Sequence, residues 1–261
     1  MKLIGSNYHS PEANKAYWSV SQFKAFKDCQ AAALAELEGK YERPVSEAFL
    51  QGGYVDAHFS GTLAEYLEEH PEIVNSRTGE LKAAYIKSRA AIERAESDPL
   101  FIRYVQGGDV QRIMTAEIFG KPWKVKIDCL HDDKIVDLKY MRNMDDVYKD
   151  GGWKSFVRAY GYDLQGYIYQ SVVEAVTGKH LPFFLAVITK EDPADIELIH
   201  IDDKYLNVCK GMIEHYLPEF DAVKQGKVEP ARCGSCPYCR QTKTLTEPIE
   251  LDDLMEKEGI A

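Results

Sequence analysis

The chain has 261 residues, 45% of them hydrophobic and 28% charged, which is typical of a soluble globular protein with about one large domain. Its formal net charge of −10 argues against a general nucleic-acid coat protein, which would be basic, but leaves room for an enzyme with a local basic groove. The sequence has no apolar run long enough to span a membrane and no signal peptide, so we expect no membrane partner and a cytoplasmic location. In that compartment the six cysteines are not expected to form structural disulfides.

The first hundred residues predict three helical segments. These cover about residues 19–39, 46–70 and 81–96. The first has a serine N-cap and ends at a glycine, and the last ends before a proline. The second contains Gly52 and Gly53, which we expect to be its weak points because glycine disfavours a helix interior.

Strands and helices alternate along the rest of the chain. The predicted elements are strands at 111–119, 123–130 and 134–140, a helix at about 158–176, strands at 183–189 and 195–201, and a helix at about 204–224. This order predicts an α/β fold in which helices flank a mixed central β-sheet, with an N-terminal helical segment and a Cys-rich C-terminal tail.

Two carboxylates and an amine lie on the second and third predicted strands. A hairpin turn at HDDK pairs residue i with residue 265 − i, which places Asp128 directly opposite Asp137. Lys139 shares the face of Asp137, because side chains alternate along a strand. Two facing carboxylates repel each other unless a divalent cation joins them, and Mg²⁺ or Mn²⁺ prefers such oxygen ligands. The spacing alone is equally compatible with a charged, exposed face of an ordinary hairpin.

The same residues resemble the active-site motif of the PD-(D/E)XK nuclease superfamily. Asp128 is followed by a D-L-K triplet, Asp137, Leu138 and Lys139, in which aspartate replaces the commoner glutamate. The resemblance implies a restriction-endonuclease-like αβββαβ core.

Three further segments resemble the RecB/RecE-like branch of that superfamily, which includes the lambda-type exonucleases. GGYVDAH ends at His58 on an upstream helix, and YGYDLQGYIY carries Gln165 and Tyr169 on one helix face. SVSQFKAFKDC resembles the N-terminal helix of the branch. Order and spacing agree from about Trp18 to Cys239, and the similarity is greatest to phage- and prophage-encoded RecE-type, exonuclease VIII-like proteins.

The resemblance implies a Mg²⁺-dependent exonuclease, with Mn²⁺ as the alternative ion. Such enzymes degrade the 5′ strand from double-stranded DNA ends and leave a 3′ overhang for a single-strand annealing protein. Relatives form rings around DNA, which implies a ring-like homo-oligomer. Two alternatives stay open: a single-strand or flap nuclease like the CRISPR adaptation nucleases, and a catalytically inactive DNA- or protein-binding module.

The resemblance also assigns roles to individual residues. The implied metal ligands are Asp128, Asp137, the Leu138 carbonyl and His58, the catalytic lysine is Lys139, and the supporting residues are Gln165 and Tyr169. The superfamily often has a further acidic residue upstream, for which Glu117 is the candidate. A turn at Gly120 and Lys121 puts Glu117 on the Asp128 face but opposite Lys124, so a structural ion pair is the alternative.

The Cys-rich tail predicts a second metal site. Cys233, Cys236 and Cys239 form a C-x₂-C-x₂-C run, which in a reducing compartment indicates metal binding. A tetrahedral site needs a fourth ligand, and the residues leave three candidates. These are Cys29 at the end of the first helix, Cys129 on the apolar strand face shared with Ile127, and Cys209 in the last helix.

One family layout selects among these candidates. AddB-type nuclease subunits and CRISPR adaptation nucleases hold a [4Fe–4S] cluster with one cysteine before the nuclease core and three after it. The resemblance to this layout implies Cys29 as the fourth ligand and favours a cluster, with Zn²⁺ as the alternative. We therefore predict a nuclease domain at 1–230, with N-terminal helices at 19–97 and a catalytic core at 105–225, and a tail at 231–261 that packs on the first helix.

Overall fold

The computed structural model describes residues 1–252. The helices are α1 (Pro11–Ala16), α2 (Val20–Asp28), α3 (Gln30–Leu37), α4 (Glu47–Ser60), α5 (Leu63–Glu69), α6 (Ala83–Glu96), α7 (Pro99–Gln106), α8 (Phe156–Ala159), α9 (Tyr162–Thr177), α10 (Asp203–Leu206), α11 (Val208–Lys224) and α12 (Pro237–Gln241). The strands are β1 (Asp109–Ile118), β2 (Lys121–Leu130), β3 (Ile135–Met141), β4 (Val147–Lys149), β5 (Gly152–Lys154), β6 (Phe183–Thr189) and β7 (Ile196–Ile201). Short 3-10 helices lie at Gly5–Asn7 and Pro71–Ile73.

Five strands form one mixed sheet in the order β1-β2-β3-β6-β7. β3 and β6 are parallel, and the other neighbouring pairs are antiparallel. A parallel pair needs a crossover connection, which here contains α8 and α9. β4 and β5 form a separate hairpin at the start of that crossover. This is the α/β fold with a mixed sheet that the sequence predicts.

Each face of the sheet has its own hydrophobic core. The first core lies under α2, α9 and α11 and buries Phe23 and Ile168. The second lies under α4, α6 and α7 and buries Val55, Ile92 and Phe101. Within residues 1–252, no helix is both long and apolar enough to cross a membrane.

The first predicted helix is two helices that meet at Cys29. The backbone there is extended, with φ −165° and ψ 108°, and it ends α2 and begins α3. Two hydrogen bonds connect the residues after this break to the tail. The Ala31 amide donates to the Ala231 carbonyl at 3.0 Å, and the Gln30 side chain accepts from the Ala231 amide at 2.8 Å. These contacts between distant parts of the chain accompany a break that local propensity does not predict.

The second predicted helix breaks at Gly61 and not at Gly52 or Gly53. Gly61 has φ 76°, the left-handed conformation that ends many helices. Gly53 lies inside α4, where a Cβ atom would approach the Tyr66 hydroxyl of α5 to 2.6 Å. This glycine therefore permits a close approach between α4 and α5, in which Tyr66 donates to the Leu50 carbonyl at 2.8 Å.

Three other boundaries also differ from the prediction. α7 was not predicted, although Asp98 caps it with bonds to two amides and Pro99 occupies its first position, a common arrangement. The helix predicted at 158–176 breaks at Gly161, which has φ 65°, and the last helix breaks at Asn207.

The regular alternation of side chains along β1 and β2 is interrupted at Asp128. Ile127 packs in the first core, whereas Cys129 packs in the second. Strict alternation would put both on one face, so the prediction that they share it is wrong. On β1, Gln111 lies between the partners of these two residues and has φ 55°, which is uncommon for a residue other than glycine. The irregularity is paired across the two strands and lies beside the candidate site.

Candidate active site

The candidate site lies where β2 and β3 separate. At the closed end of the hairpin Cys129 pairs with Val136 and Leu130 with Ile135, which is the register that the sequence predicts. One residue further along, the Asp128 Oδ2 atom accepts a hydrogen bond from the Leu138 amide at 2.8 Å. A side chain thus satisfies the amide in the gap between the strands. The two strands leave space there for groups that face a ligand.

Asp137 is buried in the middle of β3, with 1% of its surface exposed. Its Oδ1 atom accepts a hydrogen bond from the Gln165 side chain at 2.6 Å. Its Oδ2 atom lies 2.5 Å from the Lys139 ammonium, but within residues 1–252 it accepts no hydrogen bond of good geometry. A buried carboxylate oxygen held by charge alone is suited to bind a cation.

Lys139 lies where two predicted metal ligands converge. Its ammonium contacts Asp137 Oδ2 and is 3.3 Å from the Leu138 carbonyl oxygen. Burial opposes the charge, but Asp137 and Asp128 outweigh it and raise the pKa of Lys139. The ammonium supplies positive charge between the oxygens, so these oxygens fit a cation such as Mg²⁺.

Gln165 and Tyr169 lie behind Asp137 on α9. Gln165 donates to Asp137 and also lies 3.0 Å from the Tyr169 hydroxyl. Tyr169 donates in turn to the Lys126 carbonyl of β2 at 3.0 Å. Burial raises the pKa of Tyr169, so its hydroxyl stays a donor. The pair therefore fixes the orientation of Asp137 relative to β2.

α4 brings Asp56 to the site, a residue that the sequence did not single out. Gln111 donates to Asp56 Oδ1 at 3.0 Å, and Asp56, Gln111 and Asp128 line one small cavity. Burial raises the pKa of Asp56, and Lys126 and Lys139 oppose that shift. The signal lay within GGYVDAH itself, which contains this aspartate two residues before the histidine.

His58 points elsewhere. Residues two apart on a helix project to nearly opposite sides, so Asp56 and His58 cannot both face the sheet. The His58 Nε2 atom lies 2.7 Å from Glu96 Oε1 of α6, and both side chains are partly exposed. His58 therefore pairs with Glu96 and does not join Asp128 and Asp137.

Glu117 is also distant from the site. The β1–β2 turn falls one residue earlier than predicted, so Glu117 pairs with Pro122, six positions before Asp128 along β2. The alternative role of Glu117, an ion pair with Lys124, is not found in the described structure: Lys124 is buried and donates to Asn14 Oδ1 at 2.7 Å. Glu117 is neither beside the carboxylates nor paired with Lys124.

The carboxylates of the site repel one another. Burial, Asp137 and Asp56 together raise the pKa of Asp128 well above its usual range, with Lys139 and the Leu138 amide opposing the shift. Like charges in a partly desolvated site are unfavourable unless a cation neutralises them. The arrangement of carboxylates therefore fits a divalent ion. The site lies in the sheet, between the two hydrophobic cores.

The four predicted cysteine ligands lie together at the tail. The sulfur atoms of Cys29, Cys233, Cys236 and Cys239 all lie within 4.8 Å of one another. The Cys29–Cys239 sulfur distance is 3.6 Å and the Cys233–Cys239 distance is 3.9 Å. The other candidates lie elsewhere, Cys129 in the second core and Cys209 in the first. Residues 253–261 of the predicted tail lie outside the described residues.

The sheet order, the flanking helices and the Asp128, Asp137 and Lys139 arrangement define a PD-(D/E)XK-like fold. The chain belongs to the family described as "PDDEXK-like domain of unknown function (DUF3799)", which it matches over residues 19–242. It is also similar to a crystal structure from Eubacterium rectale described as a "Putative exonuclease". The identity is 42%, the similarity covers 97% of this chain and 98% of that chain, and the TM-score is 0.93. No curated protein matches the chain.

Proposed function

We propose that the chain is a metal-dependent DNA exonuclease. The observation that carries this proposal is the convergence of Asp137 Oδ2 and the Leu138 carbonyl on the Lys139 ammonium, with the Asp128 carboxylate hydrogen-bonded to the Leu138 amide beside them. The ion, Mg²⁺ or Mn²⁺, would be held by Asp128, Asp137 and the Leu138 carbonyl. Asp56 takes the place that the resemblance gave to His58, because α4 turns it toward the carboxylates.

The residues of the chain divide the work of phosphodiester hydrolysis among them. A bound divalent ion would polarise the phosphate and make a bound water more acidic. Lys139 places a fixed positive charge where negative charge develops on the phosphoryl group. Gln165 orients Asp137 through its 2.6 Å hydrogen bond, and Tyr169 ties Gln165 to β2.

The substrate proposal rests on the neighbour and on the sequence motifs. The similar structure is described as a "Putative exonuclease", which supports action on nucleic-acid ends. The RecE-type motifs support linear double-stranded DNA, 5′–3′ polarity, 3′ overhangs, an annealing-protein partner, a ring-like homo-oligomer and a cytoplasmic, phage-type recombination role. A single-strand or flap nuclease is the alternative, and an inactive binding module is a third.

End-labelled linear duplex and closed circular DNA distinguish these functions. With Mg²⁺ the wild-type protein should degrade the linear duplex and spare the circle, and EDTA should stop it. Asp128→Asn and Asp56→Asn should each lose more than about 100-fold in rate, which corresponds to an activation barrier about 2.7 kcal/mol higher. Glu117→Gln is the matched control and should retain activity. Binding without cleavage under every metal condition would support the inactive module.

We further propose that the four cysteines hold a single Zn²⁺ ion. A tetrahedral ion with zinc–sulfur bonds of about 2.3 Å puts its ligands about 3.8 Å apart, close to the 3.6 and 3.9 Å distances observed here. A [4Fe–4S] cluster binds each thiolate through a different iron, so its sulfurs must stand farther apart. The spacing of the sulfur atoms therefore favours Zn²⁺, whereas the family resemblance favours a [4Fe–4S] cluster.

Metal analysis of protein purified without oxygen separates the two. About one zinc and no iron per chain is expected. A brown protein with about four irons per chain would show a cluster instead.

A further inference from the structure

The β4–β5 hairpin presents two aromatic side chains to solvent. Tyr148 and Trp153 pair across the hairpin, with 63% and 73% of their surfaces exposed and their ring centres 5.7 Å apart. The other two tryptophans of the chain, Trp18 and Trp123, are 2% and 0% exposed. A large aromatic pair in water indicates a contact surface, because burial is the usual state of such side chains.

A basic cleft lies beside this hairpin and is lined by residues of α2, α8, α9, α11 and the hairpin itself. Its cations are Lys24, Lys27, Lys149, Lys154 and Arg158, and its carboxylates are Asp28, Asp150 and Asp163. Five cations against three carboxylates give a local excess of two positive charges in a chain of net charge −10. This local positive charge suits a phosphate backbone. Lys149 and Lys154 share the hairpin with the aromatic pair but lie on its opposite face, because side chains alternate along each strand.

The cleft leads to the catalytic lysine. The Lys24 and Lys139 ammonium groups both lie against the Tyr162 ring, 5.6 and 5.4 Å from its centre. Burial, with Lys139 and Lys149 adding to it, lowers the pKa of Lys24 to about 8. Asp137 and Asp163 oppose this shift. The shared Tyr162 ring therefore connects the cleft to the active site, with Lys24 on one side and Lys139 on the other.

We propose that this cleft and hairpin bind one unpaired strand of DNA as it reaches the active site. The cleft cations contact the backbone phosphates, and Trp153, supported by Tyr148, stacks on a base where the strand passes over the hairpin. An unpaired strand is favoured over intact duplex, because stacking needs a base face that a duplex covers with its neighbours. The proposal rests on the nuclease function proposed above and adds the strand that the site accepts.

Tryptophan emission and oligonucleotide binding test this proposal with cleavage blocked by EDTA. A short labelled oligothymidine should quench the exposed Trp153 and protect it from acrylamide. By anisotropy, Trp153→Ala should bind about tenfold more weakly, and Trp153→Phe, which keeps a stacking face, should bind nearly as wild type. Tyr205→Ala is the matched control, since Tyr205 is an aromatic side chain that is 49% exposed and does not line the cleft.

Each outcome bears on one proposal. If wild type cleaves DNA but Trp153→Ala binds the oligonucleotide as wild type does, the strand path is wrong and the nuclease function stands. If the oligonucleotide binds at Trp153 but no cleavage occurs with any divalent ion, the nuclease function fails and the binding surface stands. If Trp153→Ala instead changes the oligomeric state in sedimentation with binding intact, the aromatic pair is a contact between copies, which overturns the proposal.

Discussion

At the scale of single residues, Lys139 neutralises one carboxylate of the candidate site by direct contact and the other only at a distance. Its ammonium neutralises Asp137 at 2.5 Å, and Asp137 has its second oxygen satisfied by Gln165. Asp128 has a backbone amide but no ammonium in direct contact within the described residues. The two carboxylates, although both are predicted metal ligands, therefore contribute in opposite directions to the stability of the metal-free protein.

This difference predicts opposite effects of two isosteric changes. In EDTA, Asp128→Asn should leave the free energy of unfolding unchanged or raise it by about 1 kcal/mol, because it removes a repelled charge. Asp137→Asn should lower it by about 3 kcal/mol, because it leaves the partly buried Lys139 without its direct counterion. Urea unfolding of both variants measures this, and equal effects of the same sign would contradict the charge assignment.

The same scale shows what the sequence could and could not predict about the site. Short-range rules predict the hairpin register that brings Asp128 to β3 and the shared face of Asp137 and Lys139, but only the family resemblance made these residues a candidate site. Asp56 does not, because either it or His58 could face the sheet and only the packing of α4 sets the rotation of that helix. Glu117 was misplaced because a turn that shifts by one residue moves every cross-strand partner by two positions.

At the scale of elements, strands and long helices were predicted and their interruptions were not. Strand alternation and helical periodicity are local signals, and all five strands of the main sheet fall within two residues of their predicted ranges. The break at Cys29 accompanies contacts with the tail about 200 residues away, so no local pattern contains it. The short β4–β5 hairpin was also missed, although its Asp150-Gly151 turn is a common hairpin signal.

One contact between elements predicts a pH-dependent stability. His180 joins α9 to α10, with Nδ1 2.9 Å from Glu174 and Nε2 2.8 Å from Asp203. Hydrogen bonds to Glu174 and then Asp203 raise the pKa of His180. The stabilisation is therefore fully present below the unfolded pKa of about 6.5 and is lost as pH rises through the higher folded value.

Urea unfolding of wild type and His180→Gln at pH 6 and pH 9 measures this effect. Because the pair is about half exposed, the difference at pH 6 should be under about 1 kcal/mol, and it should vanish at pH 9. A difference that stays constant between the two pH values would mean that His180 acts by packing and not by charge.

At the scale of the whole molecule, the cysteine group joins the two ends of the described chain. Cys29 lies between α2 and α3, and Cys233 follows it 204 positions later in the chain. Around it, Gln30 donates to Glu219 of α11 at 2.6 Å and accepts from the tail. A cavity lined by Cys29, Cys233 and Lys149 adjoins the basic cleft. The tail therefore supports the side of the molecule on which we propose that DNA lies.

Removing one ligand should show how far that support extends. A link across 204 residues restricts the unfolded chain strongly, so its loss should cost roughly 2–5 kcal/mol, in analogy with a disulfide that closes a long loop. Cys29→Ser should lose the bound metal, lower the melting temperature by several degrees and weaken oligonucleotide binding. Cys209→Ser is the matched control, a buried cysteine outside the group, and it should keep its metal. Metal analysis and thermal unfolding of both variants measure this, and full metal occupancy in Cys29→Ser would exclude Cys29 as a ligand.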